Sequence, residues 1–495
     1  MALTNGANLN SVAAPQQQAL STNYIDFTSE STAGWAQQYL PDLMEAEAEV
    51  FGPRTISGFL SQVGAEESMT SDQVIWSEQS RLHLSYTGTV AVAGDVNGTF
   101  TVLKDIDGND LTTTHGIRTN DVVLIAQAGF VVKALVVETP DSSVVSVEPY
   151  ATAALSTLSA GAATLLVIGS EYGKGQSYTD KTGTFKSDSR TALTPTFKSF
   201  SNKPIIMKDY YEISGSDASQ IGWVEVSGEE GQNGYLWYLK AEGDTRARFT
   251  DYLEMSMLEA EKTAVTSAIG FGADGQIRGA ADAGVGGAGT EGLFAAIEDR
   301  GNITSGITGV NAATDLAEFD AILAEFDAQG AIEENMMFVN RATSLAMDDM
   351  LASMNSYGAG GTSYGVFDNE EDMALNLGFS GFRRGSYDFY KSDMRYLNDK
   401  STRGGINAAA GSAAIRGIIV PAGTSTVYDQ SLGKNLKRPF LHVRYRASKT
   451  DNRKMKTWTT GSVGATTSAL DAMQIHYLSE RCLVTQGANN FMLMK

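Results

Sequence analysis

The stretch "GYLWYLKAEGDTRARFTDYLEMSMLEAEKTAVTSAIG", from Gly234 to Gly270, carries the clearest helical periodicity of the chain. Phe249, Leu253, Met257, Ala260 and Ala264 recur at steps of 4, 4, 3 and 4, which puts them on one face of an α-helix. Asp251, Glu254, Glu259, Glu261 and Lys262 fill the other faces, and Gly270 supplies a stop. Uninterrupted, the helix is a rod of about 50 Å at 1.5 Å per residue, with Gly243 placed to bend it. That is long for a helix of a globular enzyme.

The sequence before the helix has two textures. Residues 1–60 are polar, small and low in periodicity, as in "NGANLNSVAAPQQQALSTNY", and read as an extended arm. Short helices are expected on either side of Pro41, the first capped by Ser31 or Thr32. From about 84 to 190 the chain is rich in Val, Thr and Gly. Runs around Val90, a hairpin turn at Asp107-Gly108, further runs centred on Val123, Leu135 and Val145, and "AATLLVIGSEYGKG" predict a small barrel or sandwich. Residues 191–233 return to polar, extended chain, so the β module reads as carried on an arm.

After the helix, a Gly/Ala-rich connector at 270–290 leads to alternating elements. Helices are expected at about 291–299, in "TDLAEFDAILAEFDAQG" with Leu316, Phe319, Leu323 and Phe326 on one face, and in "RATSLAMDDMLASMNS". "NMMFVN", "GFRRGSYDFYKS" and "IRGIIVPAG" read as strands, making 290–435 an α+β region. In the tail Leu441, Val443 and Tyr445 alternate with His442, Arg444 and Arg446, and "MQIHYLSERCLVTQGANNFML" reads as a strand pair.

Gly284, Gly286 and Gly289 match the G-x-G-x-x-G spacing of a dinucleotide loop, but no strand delivers them and no βαβ unit follows. In a glycine-rich connector the match reads as chance. "DIDGND" at 105–110 fails as a calcium loop, since Asp110 and Gly116 stand where glycine and glutamate are needed. His83, His115, His442 and His476 form no ligand pair, and Cys482, the one cysteine, reads as a packed core residue in a chain made in a reducing compartment. The net charge of -21 disfavours gripping a phosphate backbone. The basic clusters at 437–440, 444–446 and 452–456, with Trp458 nearby, leave two readings open: a nucleic-acid groove, or contacts with acidic patches on other copies. The apolar runs are too short for a membrane span, and "MALTNGANLNS" has no signal-peptide character. No catalytic, cofactor or metal residues are nominated.

This order of parts resembles the major capsid protein of tailed bacteriophages, the Hong Kong 97-type (HK97-like) fold, an α+β architecture. "NGYLWYLKAEGDTRARFTDYLEMSMLEAEKTA" resembles its spine helix, and "FLHVRYRASKTDNRKMKTWTTGSVG" with "YLSERCLVTQGANNFMLM" its closing strands. More narrowly, the C-terminal pair is similar to capsid proteins of podovirus-like and crAss-like phages. The resemblance implies an N-terminal arm (1–69) and an extended loop (70–225) with an inserted β module at about 86–190. It implies a peripheral domain with the spine helix (226–290), an axial domain (291–436) and peripheral closing strands (437–495). It further implies pentamers and hexamers enclosing double-stranded DNA, with portal, scaffold and decoration proteins as partners, and a virion product made in the host bacterial cytoplasm. Another virion or surface-layer subunit, or a nucleotide-binding enzyme, are the competing readings.

Overall fold

In the computed structural model the chain divides into two compact units, Gln73–Asn202 and the remainder on either side of it. The structure describes residues 56–495 except 57, 61–64, 80, 82, 93–97, 107, 109, 112–114, 140–141, 152–154, 176–196, 217–225, 228–232, 235, 264–268, 272–275, 279–286, 357–380, 423, 430–433 and 463–467. The helices expected around Pro41 lie outside the described residues.

The chain enters as β1 (Ala65–Met69) and passes into the inserted unit. There β2 (Val74–Gln79) leads to six strands: β3 (Ser85–Val92), β4 (Gly98–Asp105), β5 (Asp121–Gln127), β6 (Phe130–Glu138), β7 (Val144–Pro149) and β8 (Gly161–Ser170). These close into an antiparallel barrel in the order β3-β4-β7-β6-β5-β8. β9 (Phe197–Asn202) then returns along β2 as an antiparallel ribbon, with Trp76 opposite Phe200. The period-2 pattern sends Phe100, Val123, Ile125, Ala134, Val136, Val145 and Leu165 inward, where none has measurable exposure. Gly88 marks a bulge between β3 and β4, where a Cβ would lie 2.0 Å from the Thr101 carbonyl oxygen. Gly108 turns with φ +81° as the Asp107-Gly108 signal predicts, but among the described residues the ladder stops at Lys104 and Asp110. The run expected to complete that hairpin instead leads to Ile117, which is buried in the barrel core.

The larger unit resumes with β10 (Ile205–Ser214), the short ladder of β11 (Val226–Ser227) with β12 (Asn233–Gly234), and α1 (Leu236–Glu259). A second short ladder joins β13 (Gly270–Phe271) to β14 (Ile277–Arg278). Then follow α2 (Leu293–Arg300), β15 (Asn302–Thr304), α3 (Ala312–Gln329), β16 (Glu334–Val339), α4 (Arg341–Ser356), β17 (Gly381–Arg384) and β18 (Tyr387–Asp393). Next are α5 (Arg395–Asn398), α6 (Arg403–Ala410), β19 (Gly417–Pro421) and the hairpin of β20 (Thr424–Asp429) with β21 (Lys434–Pro439). The chain finishes with β22 (Leu441–Arg446), β23 (Lys456–Gly461), β24 (Ala472–Thr485) and β25 (Met492–Met494).

Two sheets share one core. In the first, the 14-residue β24 pairs with β10 along one edge and with β23 and then β22 along the other, and β1 adds in parallel to β22. Helix α1 lies on this sheet through Phe249 and Leu253 against Ile475 and Tyr477, the Phe249 and Tyr477 rings 6.0 Å apart. The second sheet runs β15-β25-β19-β16-β18-β17. Leu441, Val443 and Leu483 of the first sheet meet Phe338, Ile418, Val420 and Leu493 of the second, with Leu293, Phe294 and Ile297 of α2 between them in the same cluster.

Three boundaries differ from the sequence reading. The segment read as the far side of the extended loop, to residue 225, contains β10, whose ten residues pair with β24. The long helix ends at Glu259 instead of Gly270, which makes it about 36 Å long. Ala260 is captured as backbone: the Gly292 amide donates to its carbonyl at 2.7 Å, and the Thr263 amide donates to Ala288 at 3.1 Å. Those bonds compete with another helical turn. The final strand, grouped with the closing strands, joins the other sheet between β15 and β19.

The segment before β1 docks on α1 through carboxylates. The amides of Gly58 and Leu60 donate to Glu254 at 2.7 and 3.1 Å, and that of Ile56 to Asp251 at 3.1 Å. Phe59 then packs edge-on against Phe338 at 4.6 Å. Glu254 is 7% exposed, and burial raises its carboxyl pKa while the amides of Gly58, Leu60 and Phe59 pull it down.

Replacing Phe100 by Ala empties the barrel centre and should cost about 3–5 kcal/mol of that unit's stability, read by denaturant unfolding. Because the folded state holds the Glu254 proton to higher pH than the unfolded chain does, stability should fall as pH rises from the ordinary carboxylate range through the raised value. Glu254→Gln should remove that part of the pH slope in melting curves. At neutral pH it should also speed hydrogen exchange at Gly58 and Leu60, since an amide NH2 replaces one acceptor.

Candidate assembly surfaces

The basic clusters of the tail find acidic partners in their own chain. Arg444 pairs with Glu67 of β1 at 2.8 Å, and Lys454 pairs with Glu66. Glu480, on β24, takes Arg446 at 2.9 Å and Arg453 at 2.6 Å, and Arg446 also reaches Asp72. Lys456 pairs with Asp451 at 2.8 Å, which holds that carboxyl below its usual range. The parallel strand β1 is therefore fastened to β22 by charge as well as by its ladder. This accounts for the clusters at 444–446 and 452–456 without an external partner. The side chains of 437–438 lie outside the described ones.

On the face of the first sheet away from α1, three rings stand in register across β10, β24 and β23. His476 stacks on Trp458 at 5.1 Å and on Tyr210 at 6.0 Å, and its Nε2 lies 2.6 Å from the Thr460 hydroxyl. Tyr210 and Ile206 are more than half exposed there. Among the described residues the outer edge of β10 pairs with no strand. In the ribbon, Trp76 is buried and donates to Glu78 at 2.9 Å, while Ile75 on the other face is 67% exposed.

The remaining sequence candidates fall apart in space. Gly284 and Gly286 lie outside the described residues. Gly289 has φ +83°, and a Cβ there would lie 2.3 Å from the Glu261 carbonyl oxygen. Its glycine is needed for the close crossing of the 260–263 and 287–292 strands of chain. His442 is buried in β22, His83 is exposed, and His115 is half-buried near the barrel. Cys482 is fully buried, which pushes its thiol pKa up to about 12 and keeps it protonated. Among the described residues no group of three His, Cys, Asp or Glu is arranged to hold a metal ion, and no helix is long and apolar enough to cross a membrane.

Two open cavities of about 380 and 400 Å³ indent the larger unit. The first lies beside the start of α4, with Leu345, Asp349 and Arg416 on its walls. The second is walled by Glu259, Glu261, Glu298, Asp299 and Arg403. At its edge Glu259 ties the end of α1 to later chain, accepting from the Tyr396 hydroxyl at 2.8 Å and from Arg403 at 2.7 Å. Burial, then the Glu259 charge, drives the Tyr396 pKa upward. Sequence reasoning nominated none of these contacts, since each joins residues far apart in the chain.

No protein-family model matches the sequence, and no curated protein does. Among solved structures, the chain is similar to one from Mycobacterium phage Ogopogo, at 10% identity and a TM-score of 0.39, covering 93% of this chain and 98% of that one. It is similar to the capsid of cyanophage P-SCSP1u, at 8% identity and a TM-score of 0.35, covering 95% and 98%. It is also similar to a chain of the mature capsid of bacteriophage PhiM1, at 10% identity and a TM-score of 0.34, covering 91% and 90%.

Glu480→Gln leaves two arginines facing each other over a buried neutral group. It should cost about 2–4 kcal/mol, less than a fully buried pair because both arginines keep some water. The check is a paired denaturation curve with Arg453→Met, which alone should cost less.

Proposed function

We propose that the chain is the shell subunit of a tailed bacteriophage, a major capsid protein of the Hong Kong 97-type fold. In this reading it self-assembles into pentamers and hexamers around packaged double-stranded DNA. The observation that carries the reading is the topology. A ribbon-borne module is inserted between two strands of a sheet on which a 24-residue helix lies, and a second sheet takes its inner strand from the C-terminal tail. In this reading the ribbon with its barrel is the extended loop and its insert, the helix is the spine helix, and the two sheets belong to the peripheral and axial domains that the sequence resemblance implies.

A two-stranded ribbon is marginal on its own in water. Its exposed Ile75 and the long open edge of β10 are surfaces that another copy would cover. The pairing of the basic clusters within the chain suits a protein that encloses DNA without reading its sequence. Portal, scaffold and decoration proteins are the other partners implied, the role is structural instead of enzymatic, and the product belongs to the virion after synthesis in the host cytoplasm.

Electron microscopy of the purified chain, with sedimentation as a check, tests this. Closed shells or rings of five or six copies are expected. A compact monomer or dimer that never assembles, even with a candidate scaffold, would overturn the reading.

A further inference from the structure

The outside of the barrel is two-sided. On β3 and β4 the outward residues include Thr87, Thr89, Thr99 and Thr101, as alternation demands of a strand with one wet face. On β5, β6 and β8 the alternation is lost: "VVLIA", "VVKALVV" and "TLLVIG" are apolar on both faces. Strands of that kind are ordinarily covered on both sides. Among the described residues of this unit only the inner side is covered. Outward-facing Leu124 lies between Leu166 of β8 and Lys133 of β6, with Leu135 and Val131 beside them. Val131 is 66% exposed, Ile168 51% and Leu166 38%, and Phe130 and Tyr150 at the margins are about half exposed.

We infer that this β8-β5-β6 face is a self-association surface, on which the barrel of one copy packs against the same face of a second copy. Two arguments select a second copy as the occupant. The exposed side chains leave on the order of 500 Å² of apolar surface, the scale of a functional patch on a soluble protein. Two such patches face to face hide about 1,000 Å², the lower bound of a specific interface, so the contact is weak singly and effective when many copies are held together. The charges are also self-complementary. Lys133 stands in the patch and Glu148, opposite Leu135 on β7 and so a diagonal neighbour of Lys133, stands at its rim; a two-fold axis passing between the two brings each lysine to Glu148 of the partner subunit. A closed barrel offers no strand edge, so side-chain packing is the contact left to it.

The test uses the full chain, whose native Cys482 is fully buried and gives little background. Leu166→Cys and, on β4 across the barrel from β5, Thr99→Cys are treated with a short bismaleimide and run on denaturing gels. The expected result is a dimer band from Leu166→Cys, monomer from Thr99→Cys, and loss of the band in Leu166→Cys/Ile168→Asp. Unchanged melting of all three variants shows that the barrel still folds, as expected for outward positions. Equal bands from both single variants, or no band from Leu166→Cys, overturns the inference. Micrographs of the same samples keep the two readings apart: shells without the Leu166→Cys dimer sink only the barrel contact, and a dimer without shells sinks only the shell assignment.

Discussion

The larger unit depends on the pairing of one strand. β24 runs for 14 residues and accepts β10 on one side, β23 and β22 on the other, and α1 across its face. Its partners come from positions up to 276 residues away in sequence, so the ladder closes only after very large loops have been ordered. Such non-local pairing folds slowly and needs strong side-chain support to hold register. The support is present on both faces. Ile475 and Tyr477 meet α1, and Glu480 binds two arginines where the ladder passes from β23 to β22.

The acidic balance of the chain looks different once those contacts are drawn. An excess of carboxylates is destabilising by self-repulsion when it is spread uniformly. Here several carboxylates are put to structural use. Glu254 and Asp251 take backbone amides of the entering chain, Glu66 and Glu67 hold β1 in place, and Glu259 clasps Tyr396 and Arg403 at the end of α1. The last is an interaction of helix terminus with later chain, made possible because α1 stops where Ala260 is drawn into extended backbone.

What could be read in the sequence was whatever is periodic over a short span. The barrel announced itself through short Val- and Thr-rich runs separated by turns, and α3 through its apolar face and Gly330, which caps it with φ +63°. Even there the fully buried face centres on Phe319, Ile322 and Phe326, with Leu316 and Leu323 at its margins. The end of α1 was not legible, because Ala260 and Ala264 continue the helical period and the competing bonds come from residues 288 and 292. β24 was read as part of a strand pair, since no local signal separates a strand with two ladder edges from one with a single edge. The ion pairs were out of reach for the same reason: Arg444 and Glu67 are strangers in sequence and neighbours only through the register of β1 on β22.

The inserted unit begins and ends on strands that are themselves paired, Val74 lying opposite Asn202. The two points where the polypeptide crosses over, Asp72 to Gln73 and Asn202 to Lys203, therefore sit on neighbouring chain ends, separated from β1 and β10 by only a few residues. A lineage could lengthen, exchange or delete everything between those ends without disturbing a single register in the host sheet. The barrel is in that sense a cassette. The part of this protein most open to replacement in evolution, or by an engineer grafting in a foreign domain, is also a part with a core of its own.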